Sequence, residues 1–388
     1  MSQGLRTDVL VLAALAAAAG LGIALLILRT PGGTANPLAA VPADSFLVAS
    51  FDVVALAESP LGEALVGELR GDGGARDGTL LGVTSITETC GFDPLPQLRS
   101  IAIAIPEGEE PGDFGVAAAG TMTKDALATC AKAVITKRGG TPSSRQTGSF
   151  TVVSDGRTPS GASVAFRDGG PYLVGRGPWL EKMIDTAEGR APSTLASASN
   201  GHAALRAGLQ TRDVDAEAVR VTALLPRGIR ERLQGQMGEE ADPDRAEPGN
   251  PKKTGGGNKA MEGVLAVSAA AVGLHAGRAH EDARLVAELQ CDTESACDAV
   301  STLILRMRLG WSGNLTYRLV GLGPFIDNLE VQRTGSSLHV GTHGPVDDLA
   351  KMVERALRPS APKKEKGPSV PARPDETVLP RRAPDAGN

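Results

Sequence analysis

Ile101-Ala-Ile-Ala-Ile-Pro-Glu-Gly-Glu-Glu-Pro-Gly-Asp-Phe-Gly-Val-Ala-Ala-Ala-Gly120 is the clearest structural statement in the chain. Ile101–Ile105 reads as a strand, Glu107–Asp113 as an acidic Pro/Gly turn, and Phe114–Gly120 as a second strand. Two short apolar runs joined by a turn of Gly and Pro specify a β-hairpin, and hairpins make antiparallel sheet. Thr123 follows as N-cap of a helix reaching Lys137, with Leu127, Ala131, Val134 and Ile135 on one face.

The pattern extends in both directions. Ser45–Phe51 reads as a buried strand. Leu56, Leu61, Leu65 and Leu69 recur at near-helical spacing, with a helix broken or begun at Pro60. Downstream, strands are expected at 149–153, 163–166 and 172–175, then a helix from Trp179 to Gly189. The second half runs through strands at 219–225, 264–275 and 284–290, with a helix at 228–237 after the first of them. A helix capped by Asp292 extends to Arg308. Strands at 328–332 and 337–341 and a closing helix from Val346 to Leu357 complete it.

The two halves superpose in sequence. A shift of 169 residues carries Leu127, Ala131, Val134 and Ile135 onto Ala296, Val300, Leu303 and Ile304. A shift of 166 carries Gly169, Tyr172, Val174 and Gly175 onto Gly335, Leu338, Val340 and Gly341. Gly-Pro at 177–178 recurs at 344–345. This order of elements is read as an internal duplication.

At the N-terminus, Val9–Leu28 is an unbroken run of twenty apolar or glycine residues between Asp8 and Arg29. As a helix it would span about 30 Å, the hydrocarbon thickness of a bilayer. It exceeds the apolar core of a cleaved signal, although Gly33-Thr34-Ala35 offers a small-residue cleavage site as the competing reading. No cysteine precedes Cys90, so a lipid-modified Cys does not follow the run. Arg6 and the amino terminus place the short side in the cytoplasm by the positive-inside rule. Ala16, Gly20 and Ala24 form a small-residue stripe that a run with seven alanines matches by composition alone.

The expected fold class is therefore α+β. An N-terminal transmembrane helix precedes two duplicated α+β repeats with mostly antiparallel sheets and covering helices. Residues 1–8 are a short cytoplasmic segment, 9–28 the anchor, 29–43 a Pro/Gly stalk, 44–189 the first repeat and 198–358 the second. Residues 238–259 read as a disordered insertion, and 359–388, with seven prolines, as a disordered tail.

Composition narrows the chemistry. The chain has 388 residues, 41% of them hydrophobic, and carries a net charge of −5. Interspersed acidic and basic residues argue against a nucleic-acid partner, which requires a basic patch. The cysteines are Cys90, Cys130, Cys291 and Cys297. An even count outside the cytoplasm favours disulfides, and pairing within each half is the simplest arrangement. Loop entropy gives about 4 kcal/mol to a bridge of the first pair and about 2 to the second. Four reduced cysteines in a cytoplasmic domain are the alternative. No spacing supports zinc.

Catalytic candidates are weak. His339 and His343 flank Val-Gly-Thr on one strand, about 13 Å apart if it stays extended. His275 and His280 fall in a hairpin turn with Glu281 and Asp282. There is no Gly-x-Ser-x-Gly elbow, and Lys252-Lys253-Thr-Gly-Gly-Gly lacks the ending of a phosphate loop. Asp72–Gly78 lacks the ligand alternation of a calcium loop, and Asp93 and Asp113 stand isolated. No catalytic, metal or cofactor residue is assigned, and no cofactor is expected. The reading is a single-pass inner-membrane protein of the bacterial cell envelope with its bulk periplasmic. It binds or scaffolds an envelope protein or polymer and meets the lipid bilayer through Val9–Leu28. The alternative is an envelope enzyme of hydrolase type whose site assembles only in three dimensions.

Overall fold

In the computed structural model the hairpin of residues 101–120 lies inside a twelve-stranded sheet. The structure describes residues 36–70, 83–107, 113–158, 161–195, 200–210, 218–231 and 265–357. The run Val9–Leu28, the loop 71–78, the insertion 238–259 and the tail 359–388 lie outside them.

A 3-10 turn at Pro37–Ala40 leads to β1 (Ser45–Asp52). Asp52 ends that strand and caps α1 (Val53–Ala57) by accepting the Ala55 N–H at 3.0 Å. The Ser59 hydroxyl accepts the Gly62 N–H at 3.1 Å, and Pro60 opens α2 (Pro60–Arg70), where its missing N–H costs nothing. Then come α3 (Val83–Cys90), β2 (Leu98–Pro106) and β3 (Gly115–Gly120). Thr123 caps α4 (Lys124–Lys137), its hydroxyl accepting the Ala126 N–H at 3.3 Å. β4 (Pro142–Thr147), β5 (Phe150–Asp155), β6 (Ala162–Phe166) and β7 (Tyr172–Arg176) form a meander before α5 (Gly177–Ala187). The second half holds α6 (Gly201–Gln210), β8 (Val219–Leu224), β9 (Val267–His275) and β10 (Asp282–Cys291). It continues with α7 (Glu294–Ser312), α8 (Leu315–Leu319), α9 (Gly323–Asp327), β11 (Glu330–Thr334), β12 (Ser337–Pro345) and α10 (Val346–Leu357).

Five elements were not expected. α3 (Val-Thr-Ser-Ile-Thr-Glu-Thr-Cys) is rich in β-branched residues and carries little helical signal. β4 (Pro-Ser-Ser-Arg-Gln-Thr) is almost wholly exposed, so it carries no apolar signal; it forms one edge of the sheet. α6 follows directly on residues 189–200, a Ser/Ala/Pro-rich stretch that reads as the boundary between the halves, and no helix was expected there. α8 and α9 are single turns too short for periodicity. Thr293, not Asp292, caps α7, and that helix runs on to Ser312.

The strand order is β11-β12-β10-β9-β8-β1-β2-β3-β7-β6-β5-β4, every neighbouring pair antiparallel. The two halves do not keep separate sheets. β1 pairs with β8, Leu47 opposite Ala223 through Phe51 opposite Val219. Joining them removes two strand edges that two separate sheets would have left to bind other chains.

Helices cover both faces. Ile101, Ile103, Val116 and Ala118 point to α4 and meet Leu127. Ala102, Ala104 and Ala117 point the other way, to Trp179, Leu180, Met183 and Ile184 of α5. Every residue of β3 is buried, because an antiparallel sheet covered twice has no solvent face. In the second half, Ala269, Ala271 and Val286 pack on Leu205 and Leu209 of α6. Val267 and Leu338 pack on Ala296 and Val300 of α7. Leu349 and Val353 of α10 return to Leu56, Leu61 and Leu65 and tie the last helix to α1, α2 and the loop between them.

The segment read as a stalk is core from Pro37 onward. Leu38, Ala40 and Val41 are buried, and Pro42 bridges to Ser193. Disulfides join Cys90 to Cys130, stapling α3 to α4, and Cys291 to Cys297, closing the β10–α7 turn.

A polar knot sits at the β1–β8 seam. His202 of α6 is fully buried, its Nε2 at 2.8 Å from the Ser45 carbonyl and its Nδ1 at 2.8 Å from the Thr222 hydroxyl. Nε2–H donates to the carbonyl and the hydroxyl donates to Nδ1, an arrangement that suits neutral imidazole. Burial pushes its pKa down, and the nearby Arg206 pushes the same way. Because the folded pKa lies below the unfolded one, the unfolded chain takes up a proton first as pH falls. Stability is therefore complete above the unfolded value and drops below it, by at most about 1.4 kcal/mol per pH unit from this residue. Thermal unfolding from pH 8 to 5.5 should show a smaller pH slope in His202→Gln than in the wild type; equal slopes would exclude His202 as the source.

Candidate functional site

The strongest candidate is a cavity of about 430 Å³ between the sheet and the helices α7–α10. Leu285 of β10 and Thr342 of β12 form its floor. Trp311, Tyr317 and Phe325 form one wall, and Leu349 and Met352 of α10 the other. The volume lies in the range of small-molecule sites, and the lining is almost wholly apolar. The Trp311 and Tyr317 rings meet edge to face, centroids 6.1 Å apart. The one hydroxyl in the floor, on Thr342, donates to the Phe325 carbonyl and is not free for a ligand.

The local sequence explains the geometry. α7 stops at Gly313, and Asn314 caps the next turn by accepting the Thr316 N–H at 2.9 Å. Arg318 ties α8 back to both neighbours, donating from Nε to the Ser312 carbonyl at 2.9 Å and pairing through Nη2 with Asp327 at 2.9 Å. Gly344 lets Phe325 lie flat on β12: an added Cβ would fall 2.9–3.0 Å from three ring carbons.

A second cavity of about 390 Å³, with a mixed polar and apolar lining, lies on the first half, between the β4–β5 hairpin and the start of α5. Arg145 and Glu181 line it and are ion-paired at 3.0 Å. Asp155 also lines it, but its carboxylate accepts the backbone N–H groups of Arg157 and Thr141. Those bonds hold its pKa below the ordinary carboxylate value. It is a turn-capping group and poorly suited to proton transfer.

The histidines do not converge. His339 Nδ1 lies 3.2 Å from Glu288 Oε2 on a sheet face, both largely buried. Among the described residues no hydroxyl or thiol completes that pair. His343, four residues on, faces Asp282 at 4.0 Å. His280 sits in the turn with a positive φ of 68° and lies 3.4 Å from Asp347. Asp93 accepts the Leu95 N–H at 2.9 Å and caps a turn. Among the described residues no cluster of His, Cys, Asp and Glu could hold a metal. The segments Asp72–Gly78 and Lys252–Gly257 lie outside the described residues.

The pocket residues escaped the sequence reading, although a signal was present. Aromatics are scarce, and Trp311, Tyr317 and Phe325 are three of the chain's eleven within fifteen residues.

No protein-family model matches this chain, and no curated protein does. Among solved structures it is similar to crystal form I of TP0453, at 11% identity over 84% of this chain and 99% of that one, with a TM-score of 0.40. A likeness at that level carries no argument about fold or function. Among the described residues no helix is long and apolar enough to cross a membrane.

Gly344→Ala should push the Phe325 ring toward the cavity and destabilise the fold by about 1–3 kcal/mol, as overpacking does. Denaturant unfolding checks the cost; a change below a few tenths would mean the ring does not rest on Gly344.

Proposed function

We propose that this protein is a membrane-anchored, extracytoplasmic binding module of the cell envelope that receives an apolar, chain-like ligand of the acyl class. The observation that carries this reading is the cavity of about 430 Å³ with its nearly unbroken apolar lining. A site that must orient a polar substrate or move protons needs convergent polar groups. Here the floor hydroxyl is already bonded to the protein, and the Tyr317 hydroxyl and Trp311 indole N–H are the other polar groups of an otherwise apolar lining, so shape and apolar contact are the main things the cavity offers.

The membrane part of the reading rests on Val9–Leu28. Only residues 29–35 separate that run from the described fold. Seven residues reach at most about 25 Å, so an anchored domain would sit close to the bilayer. Two disulfides suit an oxidising compartment.

We read the halves as copies of one ancestral unit. Each runs through three antiparallel strands, a capped helix, a hairpin and a closing helix. Thr123 and Thr293 both cap the helix, and Gly169 and Gly335 both turn the hairpin with φ of +64° and +58°. The slot between helix and hairpin differs: the first half fills it with β4–β5, the second with α8 and α9. The apolar cavity is built from the second filling, so binding belongs to the element in which the copies diverge.

A hydrolase remains the second reading, favoured by the His339–Glu288 pair alone. It predicts that Glu288→Gln abolishes ester hydrolysis by the full chain, a loss the binding reading does not predict.

Binding is tested with dansyl-undecanoic acid and the full chain, following dansyl emission. Leu285→Trp, which fills the floor, should weaken the affinity by about tenfold or more at unchanged fold. Undiminished binding by that variant would overturn the assignment. For the compartment, thiol labelling of denatured, unreduced protein taken from its own cells should find no free cysteine. Four labelled thiols would overturn both the bridges in vivo and the extracytoplasmic placement.

A further inference from the structure

Nine large hydrophobic residues among those described are more than a third exposed, and five of them fall between 305 and 319. Leu309 is 74% exposed, Leu319 72% and Leu315 68%; Leu305 and Met307 accompany them. Single exposed leucines are ordinary, whereas a group on one face marks an interaction surface. Leu305 and Leu309 share a face of α7 with Arg308 and Ser312, and Leu315 and Leu319 recur at the same four-residue spacing on α8, while Met307 lies on another side of α7. These five sit on the C-terminal half of α7 and on α8, where the two helices turn at Gly313-Asn314.

The charge of the elbow departs from that of the chain. Between Asp298 and Asp327 the sequence holds Arg306, Arg308 and Arg318 and no acidic residue, in a protein of net charge −5. Asp327 pairs with Arg318. With Arg318 neutralised by Asp327, the elbow keeps Arg306 and Arg308 as its excess positive charge beside the exposed leucines, and Trp311 and Tyr317 lie behind them in the cavity wall.

We propose that the α7–α8 elbow docks on the surface of an anionic lipid bilayer, with Leu309, Leu315 and Leu319 entering the interface and the arginines meeting the headgroups. Apolar residues flanked by Arg and backed by Trp and Tyr are the composition of interfacial segments. Charge complementarity selects this occupant over a second copy of the chain, because a two-fold contact through this patch would set arginine against arginine. The short reach of residues 29–35 adds that no long spacer holds the fold away from a membrane, an argument that rests on the anchor reading above. Docking itself is independent of what fills the cavity.

The test uses the full chain reconstituted in vesicles. Its four cysteines are paired, so an introduced Cys is the only thiol. Leu315→Cys and, as a control on the far sheet edge, Ser144→Cys are labelled with a polarity-sensitive fluorophore. In phosphatidylethanolamine/phosphatidylglycerol vesicles the label at 315 should shift to the blue and be quenched by lipid nitroxides near the headgroups, and the label at 144 should do neither. The response should weaken in pure phosphatidylcholine and in high salt. Arg306→Gln should lower the docking equilibrium constant about fivefold, the effect of one interfacial cation, which takes a half-docked population to about one sixth. A response at both positions, at neither, or equal in neutral vesicles would overturn the proposal. So would a response that tracks protein concentration instead of lipid charge, which would assign the patch to a second copy. Because the readout involves no dansyl ligand, failure here leaves the cavity assignment to its own experiment.

Discussion

The antiparallel ladder between β1 and β8 is the constraint on which the architecture depends. It turns two sheets into one and fixes which surfaces the helices must cover. Backbone pairing from Leu47 to Phe51 supplies the register, and the buried His202 locks it from one side. A neutral imidazole that donates to Ser45 and accepts from Thr222 joins three segments distant in sequence with two hydrogen bonds. Buried polar groups satisfied in this way specify one arrangement, because a slip of register would leave them unpaired in a low-dielectric interior. Around them, Thr194 donates to the Leu38 carbonyl and the Ala43 N–H to that of Pro192, so the N-terminal entry of the fold is sewn to the linker between halves.

From this seam the two halves extend outward and meet different fates. On the first, a hairpin ends the sheet with an exposed outer strand of Ser, Arg and Gln, a composition that resists edge-to-edge association. On the second, α7 overruns the sheet, and the chain returns through two short helices that leave a cavity beneath them. The cavity and the exposed elbow are two consequences of one feature, a helix longer than the sheet needs. Apolar groups beyond its packed N-terminal half do not reach the sheet core. They either line the cavity, as Trp311 does, or face outward, as Leu309 does.

Much of the scaffold was legible in advance. The hairpin of 101–120, the Thr123 cap and the closing helix beginning at Val346 follow from local rules: alternation, side-chain capping and proline or glycine punctuation. What escaped was of two kinds. β4 is polar throughout, and edge strands are held by backbone bonds that leave no side-chain pattern. α6 carries a sound signal in Leu205 and Leu209, but it stands beside a Ser/Ala/Pro stretch that reads as linker, and His202 and Arg206 look like surface residues until the seam buries them. Pro37–Val41 was misread as stalk for the same reason in reverse: a Pro/Ala composition says how a segment bends and is silent on whether a core lies beside it.

By itself, then, the sequence determined the α+β class, the antiparallel pairing of neighbouring strands and the presence of the principal helices. These rest on contacts among residues close along the chain, where spacing is a direct record of geometry. Only the tertiary structure decided that the halves share one sheet, that His202 is a buried seam residue, that Cys90 bonds Cys130 and that Trp311, Tyr317, Phe325 and Met352 enclose a cavity. Those facts depend on groups dozens to hundreds of residues apart. Their juxtaposition is set by the balance of burial and pairing over the whole fold, and no local pattern encodes it.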